Sequence, residues 1–267
     1  MRQFAKAAVL ILIGAASFLY GQPRPKSQAE VDAIKAMIAA TEPDARIQAA
    51  ESLLSKFADT EFKGLALYFE AQSYQQKGDY DKMLIFGERA IEADPKNYNA
   101  MLMLASSLAQ RTRDLDLDRE EKLAKADRYA NTALALLKDA PKPDKSISDD
   151  VWTAAKKDYA AQAHEALGLA AMVRKKYDVA ITEFKTAIDT GATHEPRTLV
   201  FLANAYNMSG KPDDAIAVVD KVLAAPDVNV QVKQAAQKAK ETAAQLKAGK
   251  VKPPSTDSGP RQVEIKQ

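Results

Sequence analysis

Leu65-Ala66-Leu67-Tyr68-Phe69-Glu70-Ala71-Gln72-Ser73-Tyr74-Gln75-Gln76-Lys77 is followed by Gly78-Asp79-Tyr80, then by a run through Met83 and Ala90 to Asp94-Pro95. Apolar side chains keep a helical period up to Lys77. Gly78-Asp79 interrupts it, a second helical period follows, and Pro95 stops that. The spacing predicts two helices joined by a tight turn, each with an apolar stripe. Two short helices cannot cover both stripes alone, so the pair must stack on copies of itself.

The same alternation extends both ways from this stretch. Upstream, residues 28–40 put Val31, Ile34, Met37 and Ile38 on one side, and residues 44–58 turn Ile47, Ala50, Leu54 and Phe57 inward. Downstream, residues 97–110 hold Met101, Leu104, Ala105 and Leu108 in register. Residues 111–118 form a charged connector in which Asp and Leu alternate. A long helix over 119–138 carries Ala126, Ala130 and Ala133 at tight-packing spacing.

After a Pro-containing loop over 139–145, Ser148 can cap a second long helix over 149–175, with Asp149 and Asp150 suited to its positive end. Leu167-Gly168 opens another pair, which continues through Ala171, the turn at Lys175-Lys176, Tyr177, Ala180, Phe184 and Ala187 to Gly191. A further pair runs from Pro196 through Leu199, Leu202-Ala203, Tyr206, Gly210, Pro212, Ala215, Val219 and Val222 to Pro226. Residues 230–247 form one more helix, polar on much of its surface, which suits a terminal cap. Residues 248–267 carry Pro253-Pro254 and little apolar content, the composition of a disordered tail.

At the other end, Arg2 and Lys6 precede an uncharged apolar run over 7–20, and Pro23 and Pro25 follow it. The run is shorter than the roughly twenty residues a spanning helix needs and suits a secretory leader. Small residues at Ala15, Ala16, Ser17 and Gly21 offer cleavage positions. We expect cleavage after Gly21, a linker over 22–27, and a mature protein in the periplasm or outside the cell. An uncleaved anchor in the inner membrane, facing the periplasm, is the other reading.

The 267-residue chain has a formal net charge of +2 and no cysteine. Near-neutrality excludes a global basic field for nucleic acid. The absence of cysteine excludes disulfides, thiolate metal sites and a cysteine nucleophile. His164 and His194 stand apart in the sequence. No HExxH, glycine-rich phosphate loop or GxSxG motif is present. No catalytic, cofactor or metal constellation is expected.

The helix pairs share a spacing of about 34 residues, and in that they resemble the tetratricopeptide repeat family. The residues that carry the resemblance are Leu67, Ala71, Tyr74, Ala90 and Pro95 in 64–97; Leu167-Gly168, Ala180, Phe184 and Ala187 in 161–194; and Leu199, Leu202-Ala203, Tyr206, Ala215 and Val222 in 196–229. Residues 98–138 are an irregular unit with extra residues between the helices. Glu70 stands where Leu is usual, Gly87 where Phe is usual, and Met83 where Ala is usual. The resemblance implies an all-α, right-handed α-solenoid over 28–247, with Ala71, Gly168 and Ala203 at close helix approaches.

In this family the first helices of the repeats line a concave face that holds peptides or helices of other proteins. The resemblance therefore implies a non-catalytic scaffold without cofactor. Tyr68, Gln72, Gln75, Ser106, Glu165, Arg197, Val200, Asn204 and Asn207 phase onto that face. Amides and an arginine there can bond a peptide backbone, which both donates and accepts. Trp152, the sole tryptophan, and Tyr159 one heptad later lie on an extension that projects roughly 20 Å at about 1.5 Å per residue. They are either folded under the 141–147 loop or open to a partner as interface anchors. The alternative function is a self-associating spacer in a cell-envelope assembly.

Overall fold

The structure, a computed structural model, describes residues 23–193 and 195–253. The expected leader, most of the expected tail and His194 lie outside the described residues. Within them, all regular structure is helical. The eleven helices are α1 (Gln28–Ala39), α2 (Pro43–Lys56), α3 (Lys63–Lys77), α4 (Tyr80–Ala93), α5 (Tyr98–Arg111), α6 (Arg119–Lys138), α7 (Asp149–Val173), α8 (Tyr177–Thr190), α9 (Pro196–Met208), α10 (Pro212–Ala224) and α11 (Val230–Lys247). The bounds of α6 and α11 coincide with those read from the sequence.

Local chemistry sets the helix ends. The Ser27 hydroxyl accepts the Glu30 N–H at the start of α1, Asp79 accepts the Lys82 N–H at α4, and Asn229 accepts the Gln231 N–H at α11. Pro43, Pro196 and Pro212 occupy first turns, where a missing N–H costs nothing.

Four helices end in one kind of turn. Gly78, Lys175, Gly210 and Gly249 have φ of 74°, 60°, 74° and 68°, and each left-handed residue lets the chain donate two N–H groups back into the preceding helix. The fourth of these turns closes α11. That helix, expected as a plain cap, ends as α3, α7 and α9 do.

The described residues form two compact units. One takes 23–104 and 131–153, the other 105–130, 154–193 and 195–253. In the first unit, α1 packs on α2, α2 on α3 and α3 on α4. Its core joins Ile34, Met37, Ala50, Leu53, Phe62, Ala66 and Phe69, and a second cluster forms around Leu67, Ala90 and Ala100. In the second unit, α9 packs on α8, α10 and α11, and α10 on α11. Phe184, Leu202, Ala203, Tyr206, Ala215, Val219 and Val222 lie in its core, with Ala236, Ala239 and Ala243 of α11 closing one side.

The small positions carry the packing, as expected. Ala71 and Ala203 are fully buried. A Cβ on Gly168 would sit 2.5 Å from Cε1 of Phe184, so the ring occupies the space a side chain would need. Gly87 is the counterpart on α4: a Cβ there would meet Cδ2 of Leu104 at 2.8 Å. The departure from a large residue at 87 is thus filled from α5.

Side-chain bonds recur about one repeat apart. The Asn97 amide donates to the Gly64 carbonyl at 3.4 Å, Lys211 pairs with Asp178 at 2.8 Å, and Lys247 pairs with Asp213 at 2.6 Å. Lys77 pairs with Asp44 in the same manner. A ladder of this kind arises when successive helix pairs stack in one register.

Candidate functional site

α3 presents Tyr68, Gln72 and Gln75 along one half-buried strip in the first unit. The Gln72 amide is already engaged: its oxygen accepts from Arg46 of α2 at 3.1 Å, and its nitrogen donates to the Tyr68 hydroxyl at 3.5 Å. Arg46 also lies 5.6 Å from the centre of the Phe69 ring, and burial lowers its pKa. The strip is therefore preorganised, with its polar groups held by neighbours.

In the second unit, α9 offers Arg197 and Asn204 to solvent, and Ser106 of α5 is half-buried. The other residues that phase onto the first-helix face are not open. Glu165 is buried. One of its oxygens accepts from Arg197 at 2.7 Å and the other from the Thr198 hydroxyl at 2.6 Å. Val200 is packed in the core. Asn207 is 3% exposed, and its amide donates to the Ala239 carbonyl of α11 at 2.9 Å. These three residues correct the expectation of a partner-contacting strip. They lie where neighbouring helices meet, so they join the stack instead of facing a partner.

For Trp152 the sequence leaves two readings, covered or open to a partner. It is 7% exposed, and its indole N–H donates to the Ala140 carbonyl at 3.1 Å. The covered alternative holds, and Trp152 is not a surface anchor. Tyr159 is half-buried on α7, and burial beside Asp158 raises its phenol above the ordinary value. His164 contacts Glu183 through Nδ1 at 2.8 Å. Among the described residues, no group of three or more His, Asp or Glu side chains could hold a metal. No helix there is long and apolar enough to cross a membrane.

The connector before α6 is more ordered than its composition suggests. Asp114 meets Arg119 at 2.7 Å and Lys175 at 3.0 Å, Asp116 accepts the Arg113 N–H, and Asp118 meets Lys122 at 2.9 Å. The alternation turns the aspartates to cations and leaves Leu115 and Leu117 in solvent.

Residues 65–97 match the family model described as tetratricopeptide repeat. Residues 65–97 are a tetratricopeptide repeat. The matched repeat is the α3–α4 pair, with Ala71 and Ala90 at its buried small positions and Gly78 at its turn. The chain is similar to PilW, a widely conserved type IV pilus biogenesis factor, at 16% identity over 84% of this chain and 92% of that one. The TM-score of 0.55 reports a shared fold. It is also similar to a thermophilic tetratricopeptide repeat protein in Thermus thermophilus, at 21% identity, TM-score 0.48, over 79% of this chain and 98% of that one. An assembly chaperone of RpL4 aligns at 13% identity and TM-score 0.44, over 83% and 98% of the two chains. No curated protein matches.

Proposed function

We propose that this protein is a non-catalytic scaffold, a tetratricopeptide repeat solenoid that holds an extended peptide or helix of a partner protein against the first helices of its repeats. The observation that carries this reading is the state of those helices. The Tyr68–Gln72–Gln75 strip and the Arg197–Asn204 strip keep polar side chains at or near the surface, with Gln72 held by half-buried Arg46 and Arg197 held by buried Glu165. Preordered amides of this kind lose little freedom when they bond a peptide backbone, which favours binding.

We further propose that the chain is exported. The basis is the charged start, the apolar run over 7–20 and the small residues ending at Gly21. Intact mass of the protein purified from its own cells tests this, with a chain starting near Gln22 expected. A full-length chain recovered with the membranes would support an anchor instead.

The binding reading is tested by placing a photo-crosslinking residue at Tyr68 or Asn204 in cells, with the exposed Ile85 of α4 as control. The same protein captured from both strips, and not from Ile85, supports the scaffold. Equal capture from Ile85 refutes it. Capture of a second copy of the chain would favour the self-associating spacer.

A further inference from the structure

Glu70 lies on α3 between the faces that pack on α2 and α4, and it is 1% exposed. Ala66, Leu67, Ser73 and Tyr74, one turn away on either side, are all buried. Both carboxyl oxygens lack a hydrogen-bond partner, and they are two of only three such buried side-chain atoms among the described residues. Ser73 offers no help, because its hydroxyl donates to the Phe69 carbonyl at 2.8 Å.

The other buried carboxylates among the described residues are served. Glu30 accepts the Thr60 hydroxyl at 2.6 Å and the Lys26 N–H at 2.6 Å. Glu165 accepts from Arg197 and Thr198. An ionised carboxylate with no donor in an apolar site is costly, and such a group lowers the cost by keeping its proton.

We propose that Glu70 is a proton-operated latch on the α2–α3–α4 packing. Protonated, it lies quietly in the wedge between α2 and α4 and the three helices close. Ionised, it draws water into the wedge and loosens α3 from its neighbours. The charged groups that face it are Glu51 from α2, which opposes ionisation, and Arg89 from α4, which favours it. The latch acts on the helix that carries Tyr68 and Gln72, so any ligand of that strip would feel it. The latch itself does not depend on the strip having a ligand.

Burial first, and the Glu51 charge second, push the Glu70 carboxyl from its ordinary 4.5 up to about 7. A raised folded-state value means the closed form holds more protons than the open one. Closure is complete below the ordinary range and is lost as pH rises toward the folded-state value. With those two values, the closing equilibrium weakens about 30-fold between pH 5.5 and 8.5.

The experiment uses the full chain. Carboxyl-detected NMR follows Glu70, and hydrogen exchange, corrected for intrinsic rate, follows the amides of α3 and α4 across that pH range. Glu70 should titrate near neutrality. Protection in α3 and α4 should fall about 30-fold while α9 and α10 keep theirs, and Glu70→Gln should abolish the pH dependence. Glu51→Gln should shift the midpoint down and Arg89→Ala should shift it up. A Glu70 midpoint in the ordinary carboxylate range, or an unchanged pH profile in Glu70→Gln, overturns the latch. If Glu70→Gln does not fold, the wild-type titration decides alone.

Discussion

Gly168→Ala separates packing from helix propensity within one methyl group. In a helix interior this substitution gains about 1 kcal/mol of backbone stability when nothing else changes. Here the new methyl would lie 2.5 Å from Cε1, 2.7 Å from Cδ1 and 3.0 Å from Cζ of Phe184. Ordinary carbon contacts are about 3.5–4.0 Å, so the ring must retreat by about 1 Å. It has nowhere to go: Phe184 is fully buried, and the Phe201 ring centre stands 5.8 Å from its own. Overpacking of this kind costs about 1–3 kcal/mol, and a confined aromatic ring places the cost near the top of that range. The net loss expected is about 2 kcal/mol.

The decisive background is Phe184→Ala, which alone should cost about 3–5 kcal/mol by leaving a cavity. In that background the Gly168 methyl enters vacated space, and Gly168→Ala should gain about 1 kcal/mol. The double-mutant cycle therefore returns a coupling of about 3 kcal/mol. Urea unfolding by circular dichroism supplies the energies. Hydrogen exchange of α7–α9 locates the loss, since repeat arrays transmit damage only to neighbours. A stabilising Gly168→Ala in the wild type, or the same change in both backgrounds, would refute the close approach.

Three further outcomes follow from other residues. The sole tryptophan should show blue-shifted emission and slow acrylamide quenching in the native protein, changing on unfolding in urea; native quenching as fast as in the unfolded chain would mean Trp152 is open. Lys175→Gly should raise the urea midpoint, because a side chain at φ 60° costs about 1 kcal/mol that glycine avoids, and the lost pair with Asp114 is exposed; a lower midpoint would contradict the left-handed turn. Thr198→Val removes one of the two donors to the buried Glu165 and should destabilise α7–α9 by about 1–3 kcal/mol in urea; no change would mean that water reaches the carboxylate.

The helix pairs are legible in the sequence because their pattern is local. Residues 119–138 and 230–247 keep their apolar period without interruption, and both helices end where that period ends. Gly168 is legible as a close approach because the repeat period calls for a small residue there, while the Phe184 ring that fills the space is seen only in the structure. The candidate site is less legible. Periodicity places Glu165, Val200 and Asn207 on the same face as Asn204, and nothing in the period says how far a neighbouring helix reaches. In the structure Arg197, Thr198 and Ala239 come close enough to engage or cover two of the three, and of these four residues Asn204 alone stays in solvent. Trp152 is ambiguous for the same reason, since its cover is a loop and no helical period says where the Ala140 carbonyl falls. Gly87 looks like a gap until Leu104 fills it.

Helix content, the positions of the turns and the small residues that let helices touch are all readable along the chain. Backbone hydrogen bonds, caps and amphipathic stripes are written within a few positions of one another. Which polar residues are left in water, and which buried carboxylates receive a donor, emerges only once the helices are packed. Those outcomes depend on side chains about one repeat away. Glu30 finds the Thr60 hydroxyl there and Glu165 finds Arg197 and Thr198, while the surroundings of Glu70 supply no donor.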